Sequence, residues 1–449
     1  MANILPFAAL RYNTTKLRLE DVLTQPYDKI TPSMQSGYYA ASPYNLIRVE
    51  LGKLEPDDNQ KKNVYTRAAG YLQDWRRQGI LTRDPEPSIY AYLQRFALPG
   101  VPGRKLERRG FIALCQLKDY SEGVVFRHEL TLSKPKADRM DLLRATRTHT
   151  GHIFMLYSDS NGSVEKPVWR FADRNPPTST MTDEYGVEHS LWRISDPAIV
   201  LTMRDQMQEK KLIIADGHHR YETALMYRNQ RRTDHMASLE CNVPRTGQIA
   251  YDYSAPYENL MMTFVNMDSD GLLILPTHRV VFGLPNFHEE KLLQGAAEFF
   301  EIVTLSASTS PETLVAQLKD VGKQTSVITV ITSASTYLFR HRKQAVEDYL
   351  KDYLPQQRGL DVLQLHKILL EKVLGISEED IRNQVHLNYL RGADEAVARV
   401  REGANAAFLM NPVRMDQLRD VAFAGEVMPQ KSTDFYPKLL SGLTIYPLE

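Results

Sequence analysis

The chain has 449 residues, more than one hydrophobic core usually holds, so two or three domains are expected. Its 43% hydrophobic and 24% charged residues are those of an ordinary globular protein and exclude a disordered or fibrous chain. A formal net charge of zero leaves no global field to draw in nucleic acid, and two cysteines, Cys115 and Cys241, leave no disulfide framework. Met1 to Pro6 lack a basic region followed by an apolar one, and no stretch approaches membrane-spanning length. A cytoplasmic protein without a membrane partner is expected.

Residues 1–50 are dense in turns rather than periodic. Gln25-Pro26-Tyr27-Asp28 and Ser42-Pro43-Tyr44-Asn45 are Pro-Tyr-Asx turns, which close well by turn chemistry alone and equally suit a binding role. Arg11, Asp28, Asn45 and Arg48 are the ligand candidates of this region. From Asn59 to Gly79 the spacing predicts an amphipathic helix, with Val64, Ala68, Tyr71, Leu72 and Trp75 facing one way. Core packing accounts for that stripe. Strands are expected over 89–96 and 109–117, joined by a turn at Pro99 to Gly103.

Val124-Val125-Phe126 then feeds a polar run, Arg127-His128-Glu129-Leu130-Thr131-Leu132-Ser133-Lys134-Pro135-Lys136, into a helix expected over 136–146. Charge runs are usually solvated faces. Here, however, a lone carboxylate, Glu129, stands among cations that favour its ionised form, so it is suited to accept a proton. Arg127, His128, Thr131, Lys134, Lys136 and Arg139 are candidate phosphate or substrate ligands. A strand is expected over 152–159, a polar turn-rich segment over 173–185, a strand over 191–194 and a helix over 196–208.

The stretch that organises the chain follows. Leu212 to Ala215 reads as a buried strand that stops at Asp216, Gly217 permits a tight turn, and Tyr221, Ala224 and Leu225 recur at helical spacing. A helix start offers unpaired N–H groups and a positive dipole end, and this one carries Asp216, His218, His219 and Arg220. An Asp there is often only an N-cap, and Arg220 could be a solvated surface residue. Four functional side chains converging on one strand-to-helix turn favour a ligand site. The adjacent histidines lack zinc-ligand spacing, so the metal assignment stays unknown.

Strands are expected over 260–266 and 274–281, where an isolated His278 is read as structural. Beyond 287 the pattern alternates: helix 289–300, helix 311–321, strand 326–331, strand 337–342, helix 364–374, helix 393–401 and strand 406–410. The final stretch, Met428-Pro429-Gln430-Lys431-Ser432-Thr433 onward, is loaded with polar groups and is expected to fold back over the site, with Lys431, Ser432 and Thr433 as ligands. The alternating texture implies a mixed α/β (α+β) fold.

Pro-Tyr-Asp, Asn-Leu-Ile-Arg, Arg-His-Glu, Ala-Asp-Gly-His-His-Arg-Tyr and Met-Pro-Gln-Lys-Ser-Thr together resemble the bacterial domain of unknown function 1015 family, nearly end to end. Its core looks like the ParB/sulfiredoxin superfamily, and the Asp-Gly-His-His-Arg string is similar to that of the free-serine kinases. The resemblance implies an N-terminal α/β region over 1–123, a ParB/sulfiredoxin-like catalytic core over 124–285 and a C-terminal α/β domain over 286–449. It implies phosphoryl transfer from ATP, ADP or pyrophosphate to a small-molecule hydroxyl such as that of L-serine. Glu129 would be the base, and Asp216, Gly217, His218, His219 and Arg220 would form the phosphate-binding turn. In the kinases the two motifs lie nearer in sequence than they do here.

Mg²⁺ is expected from phosphate chemistry rather than from visible ligands. Two alternatives use the same residues: the reverse, phosphatase-like reaction on phosphoserine, and a non-enzymatic ParB-like nucleotide-binding switch. Nucleic acid is not an expected partner, and a homodimer is compatible with the reading.

Overall fold

The computed structural model describes residues 1–130, 133–240, 255–306 and 308–448, with the side chains of 133–135 and 236–240 outside the description. Cys241 and Thr131 therefore lie outside the described residues, as does the Lys134 side chain; Cys115 is buried and free. The class is mixed α/β, and the chain forms two compact units. One comprises Met1–Phe126, Thr131–Leu272 and Pro437–Glu449, the other Arg127–Leu130 with Leu273–Tyr436. The compact units thus group the chain differently from three consecutive regions. The N-terminal 126 residues share a unit with the Asp216 motif, and so do the last 13.

The first unit is built on a nine-stranded sheet. In spatial order its strands are Val125–Phe126, Leu212–Asp216, Ile153–Tyr157, Asn259–Asn266, Lys105–Gln116, Ile89–Ala97, Glu188–Ile194 and Ser179–Thr182, with Ile4–Leu5 beside Lys105–Gln116. Ile153–Tyr157 and Asn259–Asn266 run parallel and are buried along their whole length, as their predominantly apolar sequences suit strands covered on both faces. Tyr221, Ala224 and Leu225 of the His218–Glu240 helix join the same core as Met203 and Met207 of Pro197–Met207. The helical spacing read in the central motif is therefore its core-facing stripe.

The second unit holds a six-stranded antiparallel sheet in the order Phe300–Leu305, Thr336–His341, Val327–Ile331, Ala406–Leu409, His278–Val281 and Leu387–Leu390. Leu314 and Leu318 of one helix and Ala396, Val397 and Val400 of another pack on it. His278 accepts the Met410 amide at 3.1 Å, and burial pushes its pKa down to about 4.

Several elements depart from the sequence reading. Pro32–Ala41 is a helix inside the turn-rich N-terminus, started by Thr31, whose hydroxyl accepts the Met34 amide at 3.2 Å. None of its residues is buried, so it has no apolar stripe to betray it. Ser179–Thr182 is an edge strand inside the polar segment. The helix expected over 289–300 stops at Ala296, and Phe300–Leu305 is a strand. Residues expected to form an α-helix over 364–374 instead wind mostly as a π-helix, Leu365–Val373. The 274–281 strand is split by Pro276 into Leu273–Leu275 and His278–Val281, because proline cannot donate to a ladder.

Candidate functional site

The central motif folds as its residue types dictate. Leu212–Asp216 is buried except at its last residue, and the register slips between Ile214 and Asp216. The extra residue, Ala215, lets Asp216 sit opposite Phe154 at the very end of the ladder. Gly217 has φ +95°, a conformation that side chains disfavour, and its carbonyl accepts the Tyr221 amide at 2.9 Å. The 23-residue helix His218–Glu240 starts immediately after it, with His218 buried and His219 half-buried.

Asp216 is more than a cap. Its Oδ1 accepts the Gly217 amide at 2.8 Å and its Oδ2 meets Lys438 Nζ at 2.9 Å. Burial pushes the carboxyl upward, but the ammonium of Lys438, with Arg220 and Lys29 adding to it, outweighs burial and holds the group far below the usual carboxylate range. Lys438 is placed by the tail: its carbonyl accepts Gln94 Nε2 at 2.9 Å, and the Pro437 carbonyl accepts Arg108 Nη2 at 2.5 Å. Arg108 is itself buried, and desolvation pulls its pKa to about 10 against the opposing influence of Tyr92 and Asp216. Further along, the Gly442 amide donates to the Thr150 carbonyl, and Tyr446–Pro447 pairs with Thr148–His149.

Arg220 lies between two glycines. A Cβ at Gly151 would meet its Nη1 at 2.5 Å, and one at Gly217 would meet its Nη2 at 3.3 Å. No hydrogen bond or ion pair joins Arg220 to another described residue. It lines a cavity of about 50 Å³ together with Glu50, Arg139, His149, Thr150 and Thr223. The Thr223 hydroxyl is buried and has no hydrogen-bond partner among the described residues. Burial, aided by Arg220, pushes His149 down to about 4, so it is neutral at pH 7. His152 is pushed to about 3 by burial and sits between the hydroxyls of Thr263 and Thr444, each at 2.9 Å. The cavity thus offers an uncommitted guanidinium and a neutral imidazole, a pair that suits an anionic oxygen group.

Most of the other candidates of this unit have protein partners. Arg11 forks onto Asp84, with its shortest contact 2.7 Å. Asn45 closes its own turn, accepting the Ile47 amide and donating to the Asp21 carbonyl. Arg48 lies 4.4 Å over the Tyr39 ring and donates to the Tyr39 carbonyl. Lys136 pairs with Glu222 at 3.0 Å. Arg139 is held by Asp138 and Glu50 and stacks 4.2 Å over Tyr27. Asp28 is exposed.

In the second unit a separate cluster forms from residues about 300 apart in sequence. The His128 carbonyl accepts the Met428 amide at 2.8 Å, and His128 Nε2 lies 2.8 Å from the Thr433 hydroxyl. Glu129 Oε1 accepts the Lys431 amide at 3.2 Å. Lys431 has φ +60°, and its carbonyl accepts Arg279 Nη2 at 3.0 Å. Arg279 is buried; desolvation lowers its pKa to about 10 while Tyr389 and Glu129 act the other way. The Ser432 hydroxyl donates to the Pro429 carbonyl at 2.5 Å. Arg127 is half-buried in the same unit. The Arg-His-Glu and Gln-Lys-Ser-Thr motifs therefore share one cluster, and the Asp-Gly-His-His-Arg motif lies in the other unit.

Sequence reasoning missed Lys438, Gly151, His149, Thr150, Thr223 and Glu50. Lys438 stood in the tail already singled out, but an isolated lysine carries no signal. Gly151 and Thr223 matter only through what they approach.

Among curated proteins none matches the chain. Distant likenesses exist among solved structures. A free serine kinase in complex with AMP is 11% identical, with TM-score 0.35, covering 74% of this chain and 92% of that one. A conserved hypothetical protein from Pyrococcus furiosus is 11% identical, with TM-score 0.34 and coverage of 74% and 94%. SbnI with a C-terminal truncation, from Staphylococcus aureus, is 11% identical, with TM-score 0.31 and coverage of 75% and 87%. The model of a family described as protein of unknown function (DUF1015) matches residues 4–363, and the chain belongs to that family.

Proposed function

We propose that the protein is a phosphotransferase with a small-molecule alcohol acceptor. It moves a phosphoryl group from ATP, ADP or pyrophosphate to a hydroxyl, with L-serine the first acceptor to test. The observation that carries this reading is Arg220. A guanidinium without a protein partner, set between Gly151 and Gly217 at the start of a long helix, is arranged to fork onto phosphate oxygens. The helix dipole adds to its pull. Neutral His149, in the same lining, supplies a hydrogen bond without further charge.

In the reaction the acceptor oxygen forms a bond to phosphorus as the bond to the donor's bridging oxygen breaks, and the acceptor's proton passes to a carboxylate. Glu129 is the base in this reading, assigned from the Arg-His-Glu motif. Mg²⁺ finds no fitting set of ligands among the described residues. Asp216 is tied to Lys438, and the grouped carboxylates of Glu55, Asp57 and Asp58 are paired with Lys62 and Arg67. No step is assigned to the ion.

The test is direct. Purified protein with Mg²⁺ and L-serine is offered ATP, ADP and pyrophosphate in turn, and phosphoserine is measured. The reading expects product with one donor. Absence of product with every donor, and of phosphate release from phosphoserine, overturns it.

A further inference from the structure

The nine-stranded sheet of the first unit ends at Ser179–Thr182, which pairs on one side with Glu188–Ile194. The Asp183 amide donates to the Val187 carbonyl at 2.9 Å, so the residues bonded across this antiparallel ladder are Asp183 and, two back, Met181. The N–H and C=O groups of Thr180 and Thr182 therefore point away from the sheet. Both threonines are exposed, and no described residue beyond the ladder bonds to their backbone. Such an edge is a template for one more strand. Edges are commonly blunted by lysine or proline, and Ser179–Thr182 contains neither.

A cavity of about 250 Å³ lies beside this edge, lined by Met181 to Glu184 on one side and by Glu20, Leu23 and Tyr38 on another. Leu23, Met181 and Leu440 supply its apolar surface and Glu20, Asp183 and Glu184 its charge, with no cation among the described lining residues. Asp183 is committed to the Tyr185 and Val187 amides, to Gln25 and to His189. Glu184 accepts the Tyr38 hydroxyl, and Glu20 has Arg18 at 3.8 Å, whose side chain is 76% exposed. Glu20 and Glu184 are themselves exposed, so both carboxylates can be reached from solvent. Tyr185, next in the chain, is 56% exposed and adds an aromatic surface of the kind enriched at interfaces.

We propose that this edge docks an extended peptide of a partner protein as one further strand beside Ser179–Thr182, with a lysine or arginine side chain of that peptide in the cavity. Main-chain bonds to Thr180 and Thr182 supply affinity, and the cavity selects the side chain. Leu23, Met181 and Leu440 suit the methylene stem, while Glu20 and Glu184 meet the charged head. A second copy of this chain fits less well, because pairing two such edges brings like charges together. The site is independent of the phosphotransferase reading.

The test titrates the full chain with fluorescein-labelled peptides Thr-Val-Thr-Xaa-Thr-Val-Thr, Xaa being lysine, arginine, leucine or glutamate, by fluorescence anisotropy, with sedimentation of the chain alone. Saturable binding of the lysine or arginine peptide is expected, with the glutamate peptide at least about ten-fold weaker. Thr180→Pro removes an outward N–H without touching the ladder, since proline is tolerated where the N–H faces solvent. It should abolish binding and leave the thermal melt unchanged. If it fails to fold, the double variant Glu20→Gln, Glu184→Gln decides, and should bring the lysine and leucine peptides within about two-fold of each other. No saturable binding, equal binding of the lysine and glutamate peptides, or native-like binding by folded Thr180→Pro overturns the proposal. So does an unchanged preference for lysine in the double variant, or self-association of the native chain that Thr180→Pro removes.

Discussion

Replacing Gly151 with alanine is expected to separate ligand binding from folding. The added Cβ would lie 2.5 Å from Arg220 Nη1 and 3.2 Å from the Ser441 hydroxyl, whereas ordinary contact begins at 3.4 Å. The guanidinium must therefore retreat by roughly 1 Å, and a misplacement of that size costs about 100-fold where geometry sets function. Losing a pair of charge-assisted hydrogen bonds, about 3 kcal/mol, leads to a similar factor.

The cost to folding is small by comparison. Gly151 is not in the left-handed region, and the clashing atom is the far end of a flexible side chain rather than backbone. Glycine-to-alanine changes at compatible positions even stabilise slightly, by up to about 1 kcal/mol, through the unfolded chain. The assay is calorimetric titration with pyrophosphate beside thermal melts of Gly151→Ala, Arg220→Gln and Arg220→Lys. All three are expected to melt within about 2 °C of the native chain. Gly151→Ala and Arg220→Gln should lose about 100-fold in affinity, and Arg220→Lys less, because it keeps the charge without the fork. Native-like affinity in both Gly151→Ala and Arg220→Gln would refute the reasoning, and a large drop in melting temperature for Arg220→Gln would make Arg220 a structural residue.

Lys438→Met leaves the Asp216 carboxylate without its ammonium and should destabilise the protein by about 3 kcal/mol. Adding Asp216→Asn should restore most of that in a thermal melt; no restoration would mean that Lys438 stabilises by other contacts. Because the folded Asp216 carboxyl is depressed, its contribution is complete above the unfolded value of about 4 and disappears only as pH falls through the still lower folded value. His149 and His152 act in a higher window. Their folded values, about 4 and about 3, lie below the unfolded 6.5, so between those limits the unfolded chain binds protons that the folded one refuses, and stability falls as pH is lowered from 6.5. For His149 the window is worth about 3 kcal/mol, and His149→Phe should flatten the stability profile between pH 6.5 and 4 in chemical denaturation; an unchanged slope would contradict the assignment. Glu129→Gln keeps an oxygen to accept the Lys431 amide, so folding should persist while turnover drops about 10²- to 10⁴-fold. Unchanged turnover would remove Glu129 as base.

Much of this protein could be read along the chain because the relevant signals are local. The run Leu212–Ala215, the glycine after Asp216 and the spacing of Tyr221, Ala224 and Leu225 specify strand, turn and helix within fifteen residues, and the fold obeys them. The same holds for the Asn63-capped helix Val64–Arg77 and for the mostly apolar, buried strands of the central sheet. The elements that escaped are those without an inward stripe, such as Pro32–Ala41, and those whose boundary falls inside one apolar run, such as Phe300–Leu305.

Which charges are committed was decided by the tertiary structure alone. Arg11, Lys136 and Arg139 carry the same charge as Arg220 in the sequence, yet Asp84, Glu222 and Glu50 reach the first three and no described residue bonds to the fourth. The separation of Glu129 and Asp216 into different compact units, and the return of Lys438 to Asp216 from 222 residues away, likewise depend on long-range packing. Composition and periodicity fix which surfaces a segment must bury; which partner meets each charge depends on chain crossings that only the folded core determines.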